Sequence, residues 1–337
     1  MKALRLHGVA DLRLHDEPEP SPGRGEILVD VTAVGLCGSD RHWLVEGSIG
    51  DAVLGAPLVL GHEFAGVVAS GPRSGERVAL DPAVPCGACT VCLGGMPHLC
   101  PQLRFAGHGS TDGALRTRLA WHERLAHPIP DAMTDVEAAL IEPLGVALHA
   151  LDLGHVREGT TAGLFGCGPI GLLLVQALAA RGAHVVVATD PLPHRRAAGE
   201  ASGADRAVAP DALGDVPLPD GLGVDVAFEA AGTDDAVADA IAAARPGGRV
   251  VLVGIPDGDR TSFEASAARR KGLTLLLCRR MTPEDMPRAI ELAEGGSVDL
   301  AGLVGERHPL PAWEQAFEAL VERRTLKVVV EPQRGEA

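Results

Sequence analysis

The side chains best suited to chemistry are a cysteine, a histidine and two glutamates that stand in three separate fragments. Cys37 lies in GLCGSDRH, His62 and Glu63 are adjacent in GHEFAG, and Glu142 precedes a proline. All three residue types ligate zinc, and three protein ligands leave a fourth coordination position open for a substrate oxygen. Each residue taken alone is more typical of packing or of a surface charge, but together they predict a catalytic zinc ion.

Four further cysteines indicate a second metal site. Cys86, Cys89, Cys92 and Cys100 form the pattern C-x2-C-x2-C-x7-C. Four thiolates this close together can enclose one tetrahedral zinc ion with no open position, which is typical of a structural site. An iron–sulfur cluster is the alternative, because a proline follows the last cysteine as in ferredoxins, although the final gap is longer than theirs. We expect a structural-zinc lobe over about residues 86–100.

A glycine-rich turn predicts a dinucleotide site. The segment GCGPIG at 166–171 matches G-x-G-x-x-G and lies between a predicted strand and a helical run. The first glycine permits the turn, the second lets the backbone approach a pyrophosphate, and the third lets the helix pack on the strand. The start of the following helix also favours an anion. The residues predicted to bind the dinucleotide here are Gly166, Gly168, Pro169, Ile170 and Gly171.

The choice between NAD and NADP depends on the end of the next predicted strand. Asp190 stands there, and a carboxylate at this place accepts hydrogen bonds from ribose hydroxyls and repels a 2′-phosphate. We therefore expect NAD, with NADP as the less favoured alternative because Arg195 and Arg196 follow closely. Arg195 is a candidate to stack on the adenine, and the alternative is that both arginines are solvated helix residues.

The elements that must position these residues change in character along the chain. Residues 1–130 contain short apolar runs separated by Gly and Pro, which is typical of β-rich structure. From residue 161 onward, strand-like runs alternate with helical runs, which indicates a parallel α/β sheet. Thr134 and Glu137 form a capping-box match that opens a helical stretch, which Pro143 should break or kink. The 337 residues suggest about two domains, and the predicted fold class is α/β plus β.

Composition and charge exclude several kinds of partner. The formal net charge of −15 repels phosphate backbones and anionic lipid heads, so we expect neither nucleic acid nor membrane as a partner. The first residues lack the apolar core of a signal peptide, which predicts a cytoplasmic protein. In that compartment the seven cysteines are expected to be thiols or metal ligands.

Taken in order along the chain, these motifs resemble those of the zinc-dependent medium-chain dehydrogenases of the alcohol dehydrogenase superfamily. The resemblance covers nearly the whole chain and includes VDVAFEAAG at 224–232 and PGGRVVLVG at 246–254. It implies a GroES-like β domain from 1–148 and 281–337, a Rossmann NAD-binding domain from 149–280, and an active cleft between the two. Val253 and Gly254 are then expected beside the nicotinamide. Relatives are homodimers or homotetramers, commonly joined through edge strands of the nucleotide sheets.

The resemblance also implies roles at the catalytic zinc. Family members hold this ion with residues matching Cys37 and His62, and Glu142 stands where the ethanol-type branch has a second cysteine. Sorbitol and threonine dehydrogenases carry Glu there, and in polyol enzymes the match to Glu63 can bind zinc directly while the Glu142 equivalent is reached through water. Both glutamates are therefore candidate ligands, and how they share the ion stays open.

A proton path and a substrate class follow from the same resemblance. The alcohol proton would leave through Ser39 and the nicotinamide ribose or water towards His42. The segment from Phe105 to an Asp-Gly pair, and Trp43 after the zinc cysteine, resemble the pocket of sorbitol and xylitol dehydrogenases. Residues expected in the substrate pocket are Trp43, Phe105, His108, Arg279 and Arg280.

Two of those pocket residues depart from the sorbitol enzymes. His108 falls in a stretch that is more proline-rich there, and Arg280 replaces an aromatic residue. We therefore expect oxidation of a secondary alcohol on a polyol, cyclitol, aminocyclitol or sugar-like substrate, with two zinc ions per chain. A threonine-dehydrogenase-like amino alcohol enzyme is the alternative. A zinc-free quinone-reductase-like enzyme and a non-catalytic relative are disfavoured because every zinc-ligand position is filled.

Overall fold

The computed structural model describes residues 1–334. Its strands, in chain order, are β1 (Lys2–Gly8), β2 (Asp11–Asp16), β3 (Glu26–Gly35), β4 (Ser48–Ile49), β5 (Ala52–Val53), β6 (Leu58–Val59), β7 (Glu63–Val68), β8 (Arg77–Leu80), β9 (Ala83–Val84), β10 (Arg104–Phe105), β11 (Arg118–His122), β12 (Ala126–Pro128), β13 (Thr161–Phe165), β14 (His184–Thr189), β15 (Ala207–Val208), β16 (Val224–Glu229), β17 (Ala244–Leu252), β18 (Thr274–Leu277), β19 (Val304–Pro309) and β20 (Lys327–Glu331).

The helices are α1 (Gly38–Glu46), α2 (Thr90–Leu93), α3 (Asp135–Ala139), α4 (Ile141–Leu153), α5 (Pro169–Ala180), α6 (Pro193–Ala201), α7 (Asp234–Ala243), α8 (Ala265–Lys271), α9 (Asp285–Glu294) and α10 (Trp313–Glu322). Short 3-10 turns lie at Pro97–Leu99, Glu123–Leu125, Pro210–Asp215, Pro219–Gly221, Asp257–Asp259, Ala301–Leu303 and Leu310–Ala312. Within the described residues, no helix is both long and apolar enough to cross a membrane.

These elements divide into two compact units. The first contains Met1–Glu142, Thr282–Glu294 and the chain from Leu300 onward, and the second contains Pro143–Met281 and Gly295–Asp299. The first division falls within the first turn of α4, six residues before the expected limit at 148. The domain limits expected from the sequence stay predictions, and the two units are described separately below.

The first unit is built on a mixed sheet of seven strands. Its order is β12-β8-β7-β3-β20-β19, with β11 also paired to β3. Apolar residues of the central strands, among them Val29, Phe64, Leu80 and Val330, are at most 1% exposed and form one core. The register pairs Gly35 at the end of β3 with Glu63 at the start of β7 and with Val329 of β20. Three strand ends therefore meet at one edge of this sheet.

The second unit contains a six-stranded sheet whose neighbours are all parallel, in the order β15-β14-β13-β16-β17-β18. Numbered within the unit, this is the 3-2-1-4-5-6 order of the doubly wound dinucleotide fold. The strands are largely buried because helices cover the sheet: α5 and α6 pack on β13–β15, and α7 and α8 pack on β16 and β17. The strand order reverses between β13 and β16, where such folds bind their ligands.

The capping box expected before α3 is present. The Thr134 hydroxyl accepts from the backbone N–H of Glu137, and the Glu137 carboxylate accepts from that of Thr134. The helical stretch does break, but at Leu140 rather than at Pro143. Pro143 lies instead in the first turn of α4, where a proline removes no intrahelical hydrogen bond.

Candidate active site and metal centres

Cys37, His62 and Glu63 converge at the edge where the three strands of the first unit meet. Cys37 is the residue before α1, His62 precedes β7, and Glu63 begins it. One ligand atom from each of the three lies within 4.8 Å of the others. His62 and Glu63 are buried, at 8% and 1% exposure. The geometry and the donor types fit a three-ligand zinc site with an open position.

Asp40 supports this group from behind. It is fully buried, and its two carboxylate oxygens accept hydrogen bonds from the backbone N–H of Cys37 at 2.9 Å and of Gly61 at 3.2 Å. One of these oxygens also lies 3.9 Å from Nδ1 of His62. A carboxylate in this position fixes the loops on both sides of the site and favours the ring orientation that presents Nε2. The sequence analysis did not identify Asp40, although its spacing from Cys37 is that of a helix cap.

Lys327 is a second residue that the sequence did not reveal. It begins β20, is 3% exposed, and forms a buried ion pair with Oε2 of Glu63. A Cβ atom on Gly35 would overlap this carboxylate and lie 3.1 Å from Cε of Lys327, so glycine is what leaves room for the pair. Glu63, expected only as a metal ligand, therefore already has one cationic partner from the protein itself.

The site contains more acidic than basic side chains, which bears on whether it suits a cation. Burial lowers the pKa of His62, but the Cys37 thiol, Asp40 and Glu142 outweigh that effect and raise it to about 10. Burial alone lowers the pKa of Lys327, yet Glu63 and Cys37 raise it above its ordinary value. Both groups hold their protons because the surrounding anions stabilise positive charge, and a divalent cation meets the same potential.

Glu142 belongs to this charged environment but not to the group of three. It is 5% exposed in the first turn of α4, and burial, with opposition from His62 and support from Glu63, raises its pKa to about 8. Its carboxylate is not among the atoms that lie within 4.8 Å of one another. Its role as a ligand stays a prediction.

The two residues expected in a proton path lie on α1 and just beside the ligand group. The Ser39 hydroxyl is 3.4 Å from Nε2 of His62. His42 is 9% exposed, and its Nδ1 lies 2.7 Å from a carboxylate oxygen of Glu46, one helical turn further on. This contact holds the His42 ring against the side chain of Glu46.

Aromatic rings line one side of the candidate zinc site. The ring of Phe105 lies 5.4 Å from that of His62 and 6.4 Å from that of His108, and His108 lies 5.7 Å from Trp43. Trp43 itself is 1% exposed, so it supports the wall rather than forming its surface.

The two arginines expected in the same pocket belong to the other unit. Arg279 and Arg280 follow β18, with Arg280 in a left-handed conformation at φ 60°. Their participation in a common pocket stays a prediction.

The four remaining cysteines also converge. Sulfur–sulfur distances are 3.5 Å for Cys89–Cys92 and 3.9 Å for Cys86–Cys92 and Cys89–Cys100. Four sulfurs around one zinc ion are about 3.8 Å apart, given zinc–sulfur bonds of about 2.3 Å in a tetrahedron. The N–H groups of Ala88 and Cys89 point at the Cys86 sulfur and lower the pKa of that thiol to about 6. The geometry fits four thiolates around one ion.

In the second unit, the predicted phosphate loop connects β13 to α5. Gly166 adopts φ 112°, Gly168 precedes the helix, and Pro169 is its first residue, with Ile170 next. A Cβ atom on Gly171 would overlap the carbonyl oxygen of Gly166, so only glycine allows the loop to close this tightly on the helix. The free N–H groups of this first turn face the position of an anion.

Asp190 lies beside this loop at the end of β14. It is 4% exposed, and its two oxygens accept hydrogen bonds from the N–H of Cys167 at 3.0 Å and of Leu192 at 2.9 Å. Arg195 approaches the same carboxylate at 4.0 Å, whereas Arg196 donates to the backbone carbonyls of Asp190 and Pro191. The carboxylate is fixed in place, and its remaining lone pairs are free for ribose hydroxyls.

Zinc analysis of two cysteine variants tests the assignment of the cysteine lobe. Cys92→Ser should reduce the zinc content by one ion per chain, because three thiolates no longer complete the tetrahedron. Cys278→Ser, a matched change of a partly buried cysteine after β18, should leave the zinc content equal to that of the unaltered protein. Equal metal loss in both variants, or in neither, would contradict the assignment, and iron in place of zinc would support the cluster alternative.

Comparison with known proteins agrees with this geometry. Residues 23–131 match the alcohol dehydrogenase GroES-like domain, and residues 169–295 match the zinc-binding dehydrogenase model. The chain is 34% identical to a sorbitol dehydrogenase of Bacillus subtilis over 99% of this chain and 98% of the relative. It is also 34% identical to a D-xylulose reductase A of Arthroderma otae, over 96% and 95% of the two chains.

Solved structures show the same two-domain architecture. A zinc-binding dehydrogenase from Sinorhizobium meliloti bound to NADP superposes with a TM-score of 0.87 at 31% identity, covering 98% of this chain and 99% of that one. A short chain alcohol dehydrogenase from Escherichia coli CFT073 complexed with NADH gives 0.88 at 27% identity, again over 98% and 99%. The fold class predicted from the sequence is confirmed, as is the use of zinc and a nicotinamide cofactor. The chain belongs to the zinc-dependent medium-chain dehydrogenases, in their polyol branch.

Proposed function

We propose that this enzyme oxidises a secondary alcohol of a polyol, cyclitol, aminocyclitol or sugar-like substrate to the ketone, with hydride transfer to NAD. The observation that carries the proposal is the buried, anion-rich group of Cys37, His62 and Glu63, walled by Phe105 and His108. The names of the sorbitol dehydrogenase and xylulose reductase relatives support the substrate class.

The residues at the site divide the work of the reaction. Cys37 and His62, with Glu63 or Glu142, would hold the zinc ion, which supplies a Lewis acid that makes a substrate hydroxyl more acidic. Ser39, beside Nε2 of His62, would take up the hydroxyl proton, and the nicotinamide ribose or water would carry it on towards His42, whose Nδ1 lies against Glu46. The aromatic wall excludes water from this side of the site.

Specificity among polyhydroxyl substrates is assigned to His108 and Arg280, which depart from the sorbitol enzymes, together with Arg279. His108 presents ring nitrogens that can bond to a distant hydroxyl, carboxylate or amine, where an apolar residue cannot. Arg279 and Arg280 would add positive charge suited to a sugar acid. Phe105 and Trp43 keep this part of the pocket narrow.

NAD is the proposed cofactor because Asp190 is fixed at the end of β14 with lone pairs available to ribose hydroxyls. A 2′-phosphate at this place would meet a buried carboxylate. The solved relatives include one with NADP and one with NADH, so relationship alone does not decide between them. The contacts with the nicotinamide end of the cofactor are assigned to Val253 and Gly254.

A substrate panel tests the proposal. The rate of NADH formation should be measured with linear polyols, cyclitols, aminocyclitols, sugar acids and simple primary alcohols. At least one polyhydroxyl class should exceed primary alcohols by about tenfold or more in kcat/KM, as a few satisfied hydroxyl contacts provide. The kcat/KM with NADP should be lower than that with NAD, and Asp190→Ala should reduce the ratio between the two values. Turnover of primary alcohols without any polyhydroxyl compound would contradict the proposal.

We also propose a cytoplasmic homodimer or homotetramer. None of the seven cysteines forms a disulfide in the described residues, which suits a reducing compartment. β18 is an edge strand of the described parallel sheet, and Leu277 on it is 77% exposed, which makes this edge suited to pairing with a second copy.

Sedimentation of the native protein should give two or four chains, with Leu277→Lys shifting the mass towards one chain. A native protein of one chain would contradict this assembly.

A further inference from the structure

Glu229 is a buried carboxylate that neither the metal sites nor the phosphate loop uses. It ends β16, is 1% exposed, and lies in register with Phe165 at the end of β13 and Leu252 at the end of β17. These strands flank the point where the strand order reverses, and their following loops form the wall of a dinucleotide crevice. A charged group at this level of the sheet is surrounded by strand ends rather than by solvent.

The carboxylate is held by backbone N–H groups of the loop that follows its own strand. Oε1 accepts from Ala231 at 2.7 Å and from Gly232 at 2.6 Å. The backbone oxygen of the same residue accepts from Val253 at 2.8 Å and from Gly254 at 3.1 Å. One residue therefore ties together the loops that follow β16 and β17. The second of these loops contains both residues assigned to the nicotinamide.

The two loops also fit closely against each other and against the phosphate loop. A Cβ atom on Gly254 would lie 2.8 Å from Oε2 of Glu229 and would overlap the backbone nitrogen of Gly232. On the other side, a Cβ atom on Gly166 would lie 2.8 Å from the nitrogen of Ala231. A shift of residues 230–232 would therefore displace Gly254 and the first glycine of the phosphate turn.

The charge of Glu229 fits this arrangement. Burial raises the pKa of the carboxyl group, and the N–H donors of Gly232, Ala231 and Gly254 oppose that effect. The N–H of Thr233, the residue before α7, opposes it as well. The carboxylate fills the space between converging N–H donors, as a bound anion would.

We propose that Glu229 is a positioning residue for the nicotinamide cofactor: its carboxylate sets the loops after β16 and β17 in the conformation that receives the nucleotide. It acts through Ala231, Gly232 and Gly254 and through the turn at Gly166, and it does not touch the reacting atoms. Glu229 lies outside the phosphate-loop motif. The role proposed for it depends on neither the substrate class nor the choice between NAD and NADP.

The same strand offers a matched control at its other end. Asp225 is also a carboxylate of β16, and it also binds neighbouring strands, through the N–H and hydroxyl of Thr161 at 2.8 Å and Arg245 at 2.7 Å. It lies towards the amino end of the strand, away from the nucleotide crevice. Glu229→Gln and Asp225→Asn thus make the same chemical change at opposite ends of one element.

The test is the Kd for NADH, from nucleotide fluorescence, together with the thermal midpoint and zinc content of both variants. In Glu229→Gln the amide oxygen can keep the N–H groups of Ala231 and Gly232, but the NH2 group then meets the N–H of Gly254 and has no acceptor, so the Kd should rise by about tenfold, the effect expected from one unpaired buried donor. Asp225→Asn should lower the thermal midpoint but keep Kd within about twofold. Zinc content should equal that of the unaltered enzyme in both, since the metal residues lie in the other unit.

Two results would overturn the proposal. One is a Kd for Glu229→Gln within about twofold of the unaltered enzyme, and the other is an equal rise in both variants, which indicates general destabilisation. Hydrogen exchange of the unaltered, cofactor-free enzyme gives an answer that needs no variant to fold. The amides of Ala231 and Gly232 should exchange slowly because Glu229 already holds them. Rapid exchange there would equally contradict the proposal.

Discussion

The burial of several carboxylates with one thiol at a single sheet edge constrains the whole first unit. Asp40, Glu63 and Glu142 are each at most 5% exposed, and unpaired ions of this kind cost several kcal/mol apiece. Within the described residues, the protein offsets part of that cost with Lys327 and with the N–H groups of Cys37 and Gly61. A bound zinc ion would balance the negative charge that these groups and the Cys37 thiol carry when deprotonated. The same side chains therefore determine both the stability of this region and its affinity for a metal ion.

The strands of the first unit's sheet are arranged so that these charged groups meet at one edge. β3 ends before Cys37, β7 begins with Glu63, and β20 begins with Lys327, so three adjacent strands deliver an anion, a ligand and a cation to one place. Position 35 is a glycine because any side chain there would occupy the space of the Glu63 and Lys327 side chains. In the second unit the same problem is solved without a metal. There, the carboxylates of Asp190 and Glu229 are satisfied by backbone N–H groups at strand ends.

Local sequence patterns were sufficient for the elements and for the residues with recognisable spacing. The strands and helices expected to alternate from residue 161 onward are present, and the cysteine spacing predicted sulfurs that do lie together. The confirmed fold class follows from the alternation of strands and helices. Bounds near glycine and proline were less accurate: the helix break falls at Leu140, because a proline is tolerated in the first turn.

Residues whose roles depend on distant partners were not predictable. Lys327 reads as an ordinary charge at the start of an apolar strand, and only its pairing with Glu63, far away in sequence, shows what it does. Glu229 and Asp40 have polar neighbours that are backbone groups, which leave no mark in the side-chain pattern. The types of Cys37 and His62 indicated a ligand set, but the pairing of Glu63 with a buried lysine is a property of the folded sheet.

Zinc X-ray absorption of the purified enzyme tests most directly whether Cys37 and His62 hold a metal. One site with four thiolates and one with a single thiolate should give an average of about 2.5 sulfur ligands per zinc, together with a histidine contribution. Changing Cys37 to Ser should then raise the average towards four as the second ion is lost. An average of four sulfurs in the unaltered enzyme, with no histidine signal, would contradict the account.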